Sequence, residues 1–359
     1  MKAEATFDTP AAEPAARAWN AVSADLQPDA HADHWSEPAL WDGSLPATPP
    51  PVDEARRYCE SLARRHYENF HVATQLLPSR LRAHFYPVYA YCRWADDLGD
   101  ETGDPARSLR LLDLWEEELD ACYRGEARHP VFVALRGTIE QCHIPPEPFR
   151  DLITAFRQDQ IKTRYETLDE VLGYCRYSAN PVGRLVLTIC GYRDPERQRL
   201  SDLTCTALQL ANFWQDVARD YRIGRIYIPL DAMARHGYSE SDLAAGRFDE
   251  RFACLLRELV ERTRDLFEQG LPLLSLVEGR LALDIELFSR GGMEILRLIE
   301  RRNYDVLSRR PFLDSADKAM LFASTLGRRL LRRHPRGSSV GEIPEARSEE
   351  KRSAGEKPY

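Results

Sequence analysis

Two acidic signatures with one spacing stand out in this chain: Asp96-Asp97-Leu98-Gly99-Asp100 and Asp216-Val217-Ala218-Arg219-Asp220. Each lies in an apolar, helix-like run, where a carboxylate is costly unless a cation or hydrogen-bond donor compensates it. A helix turns once per about 3.6 residues, so side chains four apart share a face. Asp96 with Asp100, and Asp216 with Asp220, therefore form two carboxylate pairs, each on one helical face. Such pairs suit Mg2+, which takes one or two carboxylates, keeps several waters and accepts phosphate oxygens. Two pairs, about 120 residues apart, suit a cluster of Mg2+ ions around a diphosphate.

The second signature extends backwards. Gln209, Asn212, Asp216 and Asp220 fall at relative positions 0, 3, 7 and 11, a narrow stripe at about 100° per residue. Phe213, Trp214 and the apolar residues before them argue for cover on several sides. A solvated face with capping and ion-pair contacts is the other reading of this stripe. Around the first signature, Tyr89, Arg93, Asp96, Asp97 and Asp100 fall at 0, 4, 7, 8 and 11. Arg93 either pairs with Asp97 or grips a phosphate through its planar fork of donors. A third region, Tyr174 to Leu185, contains Pro181 and Gly183, which together predict an interruption in an apolar helix. Such an interruption makes room for a ligand or is a plain turn. Asp159, Lys162 and Arg164 place charge near a helix end beside Tyr165; solvated charge explains them almost as well as function does.

The elements that must position these residues are helices. Apolar periodicity predicts them over 53–75, 80–100, 107–123, 130–142, 147–161, 168–190, 196–222, 249–270, 272–290, 292–309 and 314–333. Pro78, Pro105, Gly125, Pro145-Pro146, Pro195, Pro229, Gly246 and Pro311 support the breaks. No run of alternating strands and no internal repeat interrupts the pattern. Residues 52–333 are expected to form a single all-α domain, between a disordered Pro/Ala-rich arm over 1–51 and a disordered tail over 334–359. Trp19, Trp35 and Trp41 are unusual in such an arm and are candidates to dock part of it onto the body.

Composition narrows the partners. At 359 residues and 43% hydrophobic, the chain can bury a sizeable core, and its net charge of -8 argues against nucleic acid. Bound cations can reverse the local field, so an anionic substrate is compatible with that acidity. The cysteines at 59, 92, 122, 142, 175, 190, 205 and 254 form no Cys-x-x-Cys pair, as expected of reduced thiols in a cytoplasmic protein without structural zinc. No signal segment and no membrane-spanning run is expected. The basic segment Arg328-Arg329-Leu330-Leu331-Arg332-Arg333 is either a solvated helix end or a contact for anionic lipid headgroups.

Over roughly residues 55–330 the chain resembles the squalene and phytoene synthase family. The resemblance rests on Tyr89 to Asp100, Tyr174 to Leu185 and Gln209 to Asp220, the last followed by Gly224-Arg225-Ile226-Tyr227-Ile228-Pro229. It implies an isoprenoid-synthase helical bundle around a central cavity. Asp96, Asp100, Asp216 and Asp220, with Asn212, would hold Mg2+. Gln209 and Asn212 would extend the site, and Arg93, Arg225 and Tyr227 would contact diphosphate. Tyr89, Tyr174, Val182 and Gly183 would line the cavity near the reacting carbons, and Asp159 matches an acidic position at its mouth. Many members carry serines near a Phe in the first helix. Here Asn69 and His71 stand there, and Asn69 is the candidate donor to the diphosphate.

Within the family, Tyr91-Cys92-Arg93-Trp94-Ala95-Asp96-Asp97, Ser178-Ala179-Asn180-Pro181-Val182-Gly183-Arg184 and Asn212-Phe213-Trp214-Gln215-Asp216 are similar to the hydroxysqualene synthase branch of hopanoid biosynthesis. That branch converts presqualene diphosphate and water to hydroxysqualene and diphosphate. The alternative within the family is a presqualene diphosphate, squalene or phytoene synthase, which condenses two prenyl diphosphates; presqualene diphosphate and phytoene synthases usually carry an Ile-Leu-Arg-Asp type wording where Phe213 to Asp216 stand. A noncatalytic helical assembly module of the same fold is the alternative from another class. Partners implied are a prenyl diphosphate lipid, neighbouring enzymes of the pathway and a peripheral contact with the inner face of the plasma membrane. Phe70, Tyr89, Phe156, Phe213 and Phe288 are aromatic candidates for cation stabilisation, although ordinary core packing accounts for most residues of this kind.

Overall fold

The computed structural model describes Pro38 and residues 41–65 and 79–333. Among the described residues every regular element is a helix: α1 (Val52–Arg65), α2 (Ser79–Asp100), α3 (Pro105–Arg124), α4 (Pro130–Cys142), α5 (Glu147–Asp159), α6 (Leu168–Ser178), α7 (Asn180–Ile189), α8 (Pro195–Arg222), α9 (Leu230–Arg235), α10 (Glu240–Ala244), α11 (Glu250–Gly270), α12 (Leu273–Leu276), α13 (Gly279–Arg301) and α14 (Ser315–Arg333). Asn69, Phe70, Trp19, Trp35 and the part of the first expected helix beyond Arg65 lie outside the described residues.

Local chemistry sets the ends. α1 carries Asp53 and Glu54 in its first turn and Arg64 and Arg65 in its last, matching the helix dipole. It buries Ala55, Tyr58, Cys59 and Leu62, one apolar face at helical spacing. Asp104 caps α3 by accepting the Ala106 N–H at 2.9 Å, and Gly125, at φ 83°, closes it in the left-handed conformation that glycine tolerates. Asp194 caps α8 by accepting the Arg197 N–H at 3.0 Å, with Pro195 in the first turn.

α8 is 28 residues long and packs against α7, α11 and α13. One large cluster buries faces of α1 to α5 around Trp94 and Trp115, stacked with ring centroids 5.3 Å apart. A second gathers Trp214, Phe252, Phe267 and Leu296 from α8, α11 and α13. The two acidic signatures lie at the C-terminal ends of α2 and α8.

Trp41, a candidate to dock the segment before α1 onto the body, packs there. Its indole is 4% exposed, meets Trp94 and Trp115 edge-on at 5.8 and 6.0 Å and donates to the Ser44 carbonyl at 2.8 Å. The helices expected over 272–290 and 292–309 are instead the short α12 and the continuous α13. Gly291-Gly292 does not break α13 because close packing requires it: a Cβ at Gly292 would collide with Phe267 and come within 3.0 Å of Leu208. The break falls later, where Asn303 and Tyr304 take φ of 51° and 66°. The short helices α9 and α10 were not expected; α10 begins with a capping box between Ser239 and Asp242.

The interruption predicted near Pro181 is present. α6 ends at Ser178 and α7 starts at Asn180, with Pro181 in its first turn.

Trp41→Ala should lower unfolding stability by about 3–5 kcal/mol, the usual cost of emptying a site built for a large aromatic. Denaturant titration checks this; a change under about 1 kcal/mol would show that Trp41 is not a core residue.

Candidate active site

On the last turns of α2, Arg93 is engaged within its own helix. Its Nε donates to Asp97 at 3.0 Å, its Nη2 pairs with Asp97 and with Glu101, and Asp96 stands 3.8 Å away. Asp97 is the buried member of the signature. Burial pushes its carboxyl up to about 7, against the pull of Arg93. Asp96 is pushed up to about 6 by desolvation and by the like charge of Asp100. Water still reaches 47% of its side chain, which tempers the desolvation. Tyr89, half-buried one turn before Arg93, has its hydroxyl raised chiefly by burial.

The stripe on α8 is graded in burial. Asn212 is exposed, Gln209 and Asp220 are half-buried and Asp216 is buried. Both oxygens of Asp216 are taken by Arg310, the Nη2 contact being 3.1 Å. Gln215 donates to the Pro311 carbonyl at 2.5 Å, tying α8 to the segment that carries Arg310. Asp220 is pushed up to about 7 by burial and by Asp216, while Arg225, Arg219 and Arg310 oppose this.

Arg225 brings the two signatures together. It lies just beyond α8 and donates to Asp100 on α2 at 2.7 Å, across 125 residues of sequence. Its charge also acts on Asp96, Asp159 and Asp220. Burial works against the guanidinium, yet the bond to Asp100 and the surrounding acids hold it well above its ordinary value. The loop is fixed by main-chain bonds: Arg225 N–H to Asp220, Ile226 N–H to Thr163 and Leu230 N–H to Tyr165, at 2.8, 2.9 and 2.9 Å. Gly224 makes the turn at φ 85°. Lys162 and Arg164 serve this frame: Lys162 pairs with Glu170 at 2.9 Å, and Arg164 bonds the Gly224 carbonyl at 2.6 Å and pairs with Glu240 at 2.5 Å.

Aromatic rings lie beside the acids. Tyr227 stacks on Phe213 with centroids 3.7 Å apart and planes within 8°, and Tyr165 and Tyr174 complete the group. The Tyr174 hydroxyl donates to Asp159 at 2.8 Å. Asp159 is pushed up to about 7 by burial, opposed by Arg225 and by that bond. Its other oxygen is buried without a hydrogen-bond partner among the described residues.

Asp96, Asp100, Asp159, Asp220, Arg225, Tyr174 and Tyr227 thus form one assembly, with Asp216 joined through Arg310. Val182 and Gly183 sit apart from it on α7. Val182 is exposed. Gly183 packs against α8, where a Cβ would clash with Ser201 and come within 2.6 Å of Cys205. Phe156 packs on the first core cluster, and Phe288 lines a cavity of about 940 Å³ between α8, α13 and α14. Asn212, Gln215, Asp284, Arg310 and Lys318 are its polar lining, among Leu208, Leu287, Phe312 and Phe322.

The donor set fits hard cations. All its ligating groups are oxygens, and burial together with crowding of like charge raises the protonation range of Asp96 and Asp220. Among the described residues, however, no three acidic, His or Cys groups already converge on one ion position. Arg225 and Arg310 occupy the carboxylates instead.

A family model described as Squalene/phytoene synthase matches residues 63–317. The chain belongs to that family. Its members process prenyl diphosphates. The chain is 36% identical over 269 residues to a hydroxysqualene synthase from Rhodopseudomonas palustris, covering 74% of this chain and 90% of that protein. It is 32% identical over 286 residues to a phytoene synthase from Arthrospira platensis, covering 76% and 93%. Among solved structures, the squalene synthase HpnC from Alicyclobacillus acidocaldarius is 47% identical, with a TM-score of 0.68, covering 71% of this chain and 96% of that one. The all-helical isoprenoid-synthase architecture is therefore shared.

Two residues of the site escaped sequence reasoning. Arg310 lies 94 residues from Asp216, in a segment without periodicity. Asp284 sits among apolar residues on α13, 4% exposed, and neither carboxylate oxygen has a hydrogen-bond partner among the described residues. Its one sequence signal is a carboxylate on an otherwise apolar helical face.

Burial pushes Asp284 up to about 7, against Arg280 and Arg329. A carboxyl raised on folding contributes stability that is full below its unfolded pKa and is lost as pH rises through about 7. Asp284→Asn should therefore melt above the parent at about pH 8, by an amount on the order of 3 kcal/mol, with the gap narrowing towards pH ~4. Parallel thermal melts test this, and a pH-independent difference would contradict it.

Proposed function

We propose that this protein is a hydroxysqualene synthase, converting presqualene diphosphate and water to hydroxysqualene and diphosphate. The observation that carries the reading is the meeting of both acidic signatures at Arg225, beside stacked aromatic rings. The 36% identity to the R. palustris enzyme supports the branch.

The hard step is loss of a multiply charged leaving group from carbon. Mg2+ held by Asp96, Asp100, Asp216, Asp220 and Asn212 would supply charge neutralisation at the departing diphosphate. Arg225 and Arg310, which hold the acids in this structure, are placed to turn to the diphosphate when cations take those acids over. Arg93 orders Asp97 at the base of the first signature, and Gln209 and Asn212 extend the donor stripe. Phe288, Phe312 and Phe322 line the cavity and would offer electron-rich faces to the cyclopropylcarbinyl cation. The apolar walls of the cavity keep bulk water from quenching that cation before it rearranges. One water then adds at carbon, and its proton leaves to the released diphosphate.

A second reading, condensation of two prenyl diphosphates, is favoured by the 32% identity to the phytoene synthase. Purified protein incubated with presqualene diphosphate and Mg2+, without reductant, should yield the alcohol, identified by mass spectrometry. Formation of phytoene or presqualene diphosphate from shorter prenyl diphosphates, with no alcohol, would replace the first reading with the second. Asp96→Ala and Asp216→Ala should each lower turnover at least about 100-fold with helical content retained by circular dichroism; near-parental rates would remove both carboxylates from the site.

A further inference from the structure

α14 is arranged against the usual logic of a water-exposed helix. Its inner side is polar. Arg290 on α13 bonds Thr325 and Ser324, and Arg329 donates to Glu286 at 2.7 Å. Its outer side is apolar. Met320 is 66% exposed, Leu326 41% and Phe322 38%, and Ala316, Ala319 and Ala323 are exposed with them. These six residues fall within about 160° of arc at 100° per residue. Phe312, just before the helix, is 49% exposed and extends the patch. An apolar face of this size, uncovered by any of the described residues, marks a surface that meets something less polar than water.

Charge selects the occupant. The chain carries a net charge of -8, yet α14 has five basic residues against one acidic. Lys318, exposed, and Arg329, half-buried, border one edge of that arc. An apolar stripe bordered by cations, on an otherwise acidic molecule, complements an anionic bilayer surface: side chains enter the acyl boundary and cations remain among phosphates. The same helix forms one wall of the cavity, through Lys318, Leu321 and Phe322. Phe312 and Phe322 belong both to the patch and to the cavity lining.

We propose that the outer face of α14 docks on anionic lipid bilayers, and that a lipid diphosphate enters the cavity from that bilayer between α13 and α14. The entry route rests on the reading of the substrate as a prenyl diphosphate; the docking does not. Lys318 and Arg310 line the route, the order in which an anionic headgroup would meet cations on its way to the acid clusters.

Full-length protein should co-float with vesicles of phosphatidylcholine and phosphatidylglycerol. It should float at least about tenfold less with phosphatidylcholine alone, since each cation near an anionic surface adds to binding. Met320→Glu/Leu326→Glu alters two exposed residues outside the cavity lining and should abolish flotation while leaving the melting temperature unchanged. With presqualene diphosphate dispersed in detergent, the variant should match the parent; with the substrate in vesicles, it should turn over at least about tenfold more slowly. Absence of parental flotation, or equal flotation of the variant, overturns the docking. A parental dimer in sedimentation that the double variant converts to monomer assigns the face to a second copy and also overturns it. Flotation lost with vesicle turnover unchanged overturns the entry route alone. Flotation does not depend on chemistry, so a parent that floats but releases no diphosphate from any prenyl substrate defeats the proposed function and leaves the docking intact.

Discussion

The structure depends on one electrostatic constraint: several carboxylates gathered in a partly desolvated space need cations near them. Asp96, Asp97, Asp159 and Asp220 are all pushed towards neutrality by their surroundings. The chain supplies its own counter-charges in Arg93, Arg225 and Arg310. The Arg225–Asp100 pair is half open to water on the acid's side, 44% exposed, so it adds little to stability. Its consequence is positional. It fixes the end of α2 opposite the end of α8.

Holding Arg225 at that point takes structure of another kind. Ile226, Tyr227 and Ile228 are buried, and Tyr227 lies flat on Phe213. The loop thus anchors its guanidinium by apolar and aromatic packing, which acts at close range and is not screened by salt. One short segment joins a cationic arm, an aromatic surface and the frame of α5 to α6. The Tyr174–Asp159 bond ties the same aromatic group to the acid cluster. The acid cluster, Arg225 and the aromatic rings are consequently a single packed unit.

The legible parts of this site were those encoded by local spacing. The four-residue intervals in Asp96–Asp100 and Asp216–Asp220 expose a shared face without knowledge of the partner helix. The break at Pro181 follows from a missing N–H. What was not legible depends on contacts between distant residues. Whether Arg93 meets Asp97 or a phosphate is decided by the burial of Asp97. Nothing in the residues around 310 announces a partner at 216. Gly291-Gly292 has the composition of a break, yet the approach of Phe267 and Leu208 makes it a packing notch. For α14, the pattern announces a helix correctly but not which side faces out, because Arg290 and Glu286, which take its polar side, lie on α13.

The same division explains why likeness alone leaves the product open. In the proposed reaction the signatures serve ionisation, and identities of 36% and 32% to relatives named for different products are compatible with one common machinery. The fate of the cation is decided elsewhere, by where a wall excludes water and where it admits one. Here the described wall is largely leucine, phenylalanine and glycine from α8, α13 and α14, broken by Asn212, Gln215, Asp284, Arg310 and Lys318. Asp284 has no hydrogen-bond partner among the described residues, so it is a group on that wall with hydrogen-bonding capacity to offer. In the proposed reaction product choice would therefore rest on cavity polarity, distributed over residues that no short motif contains.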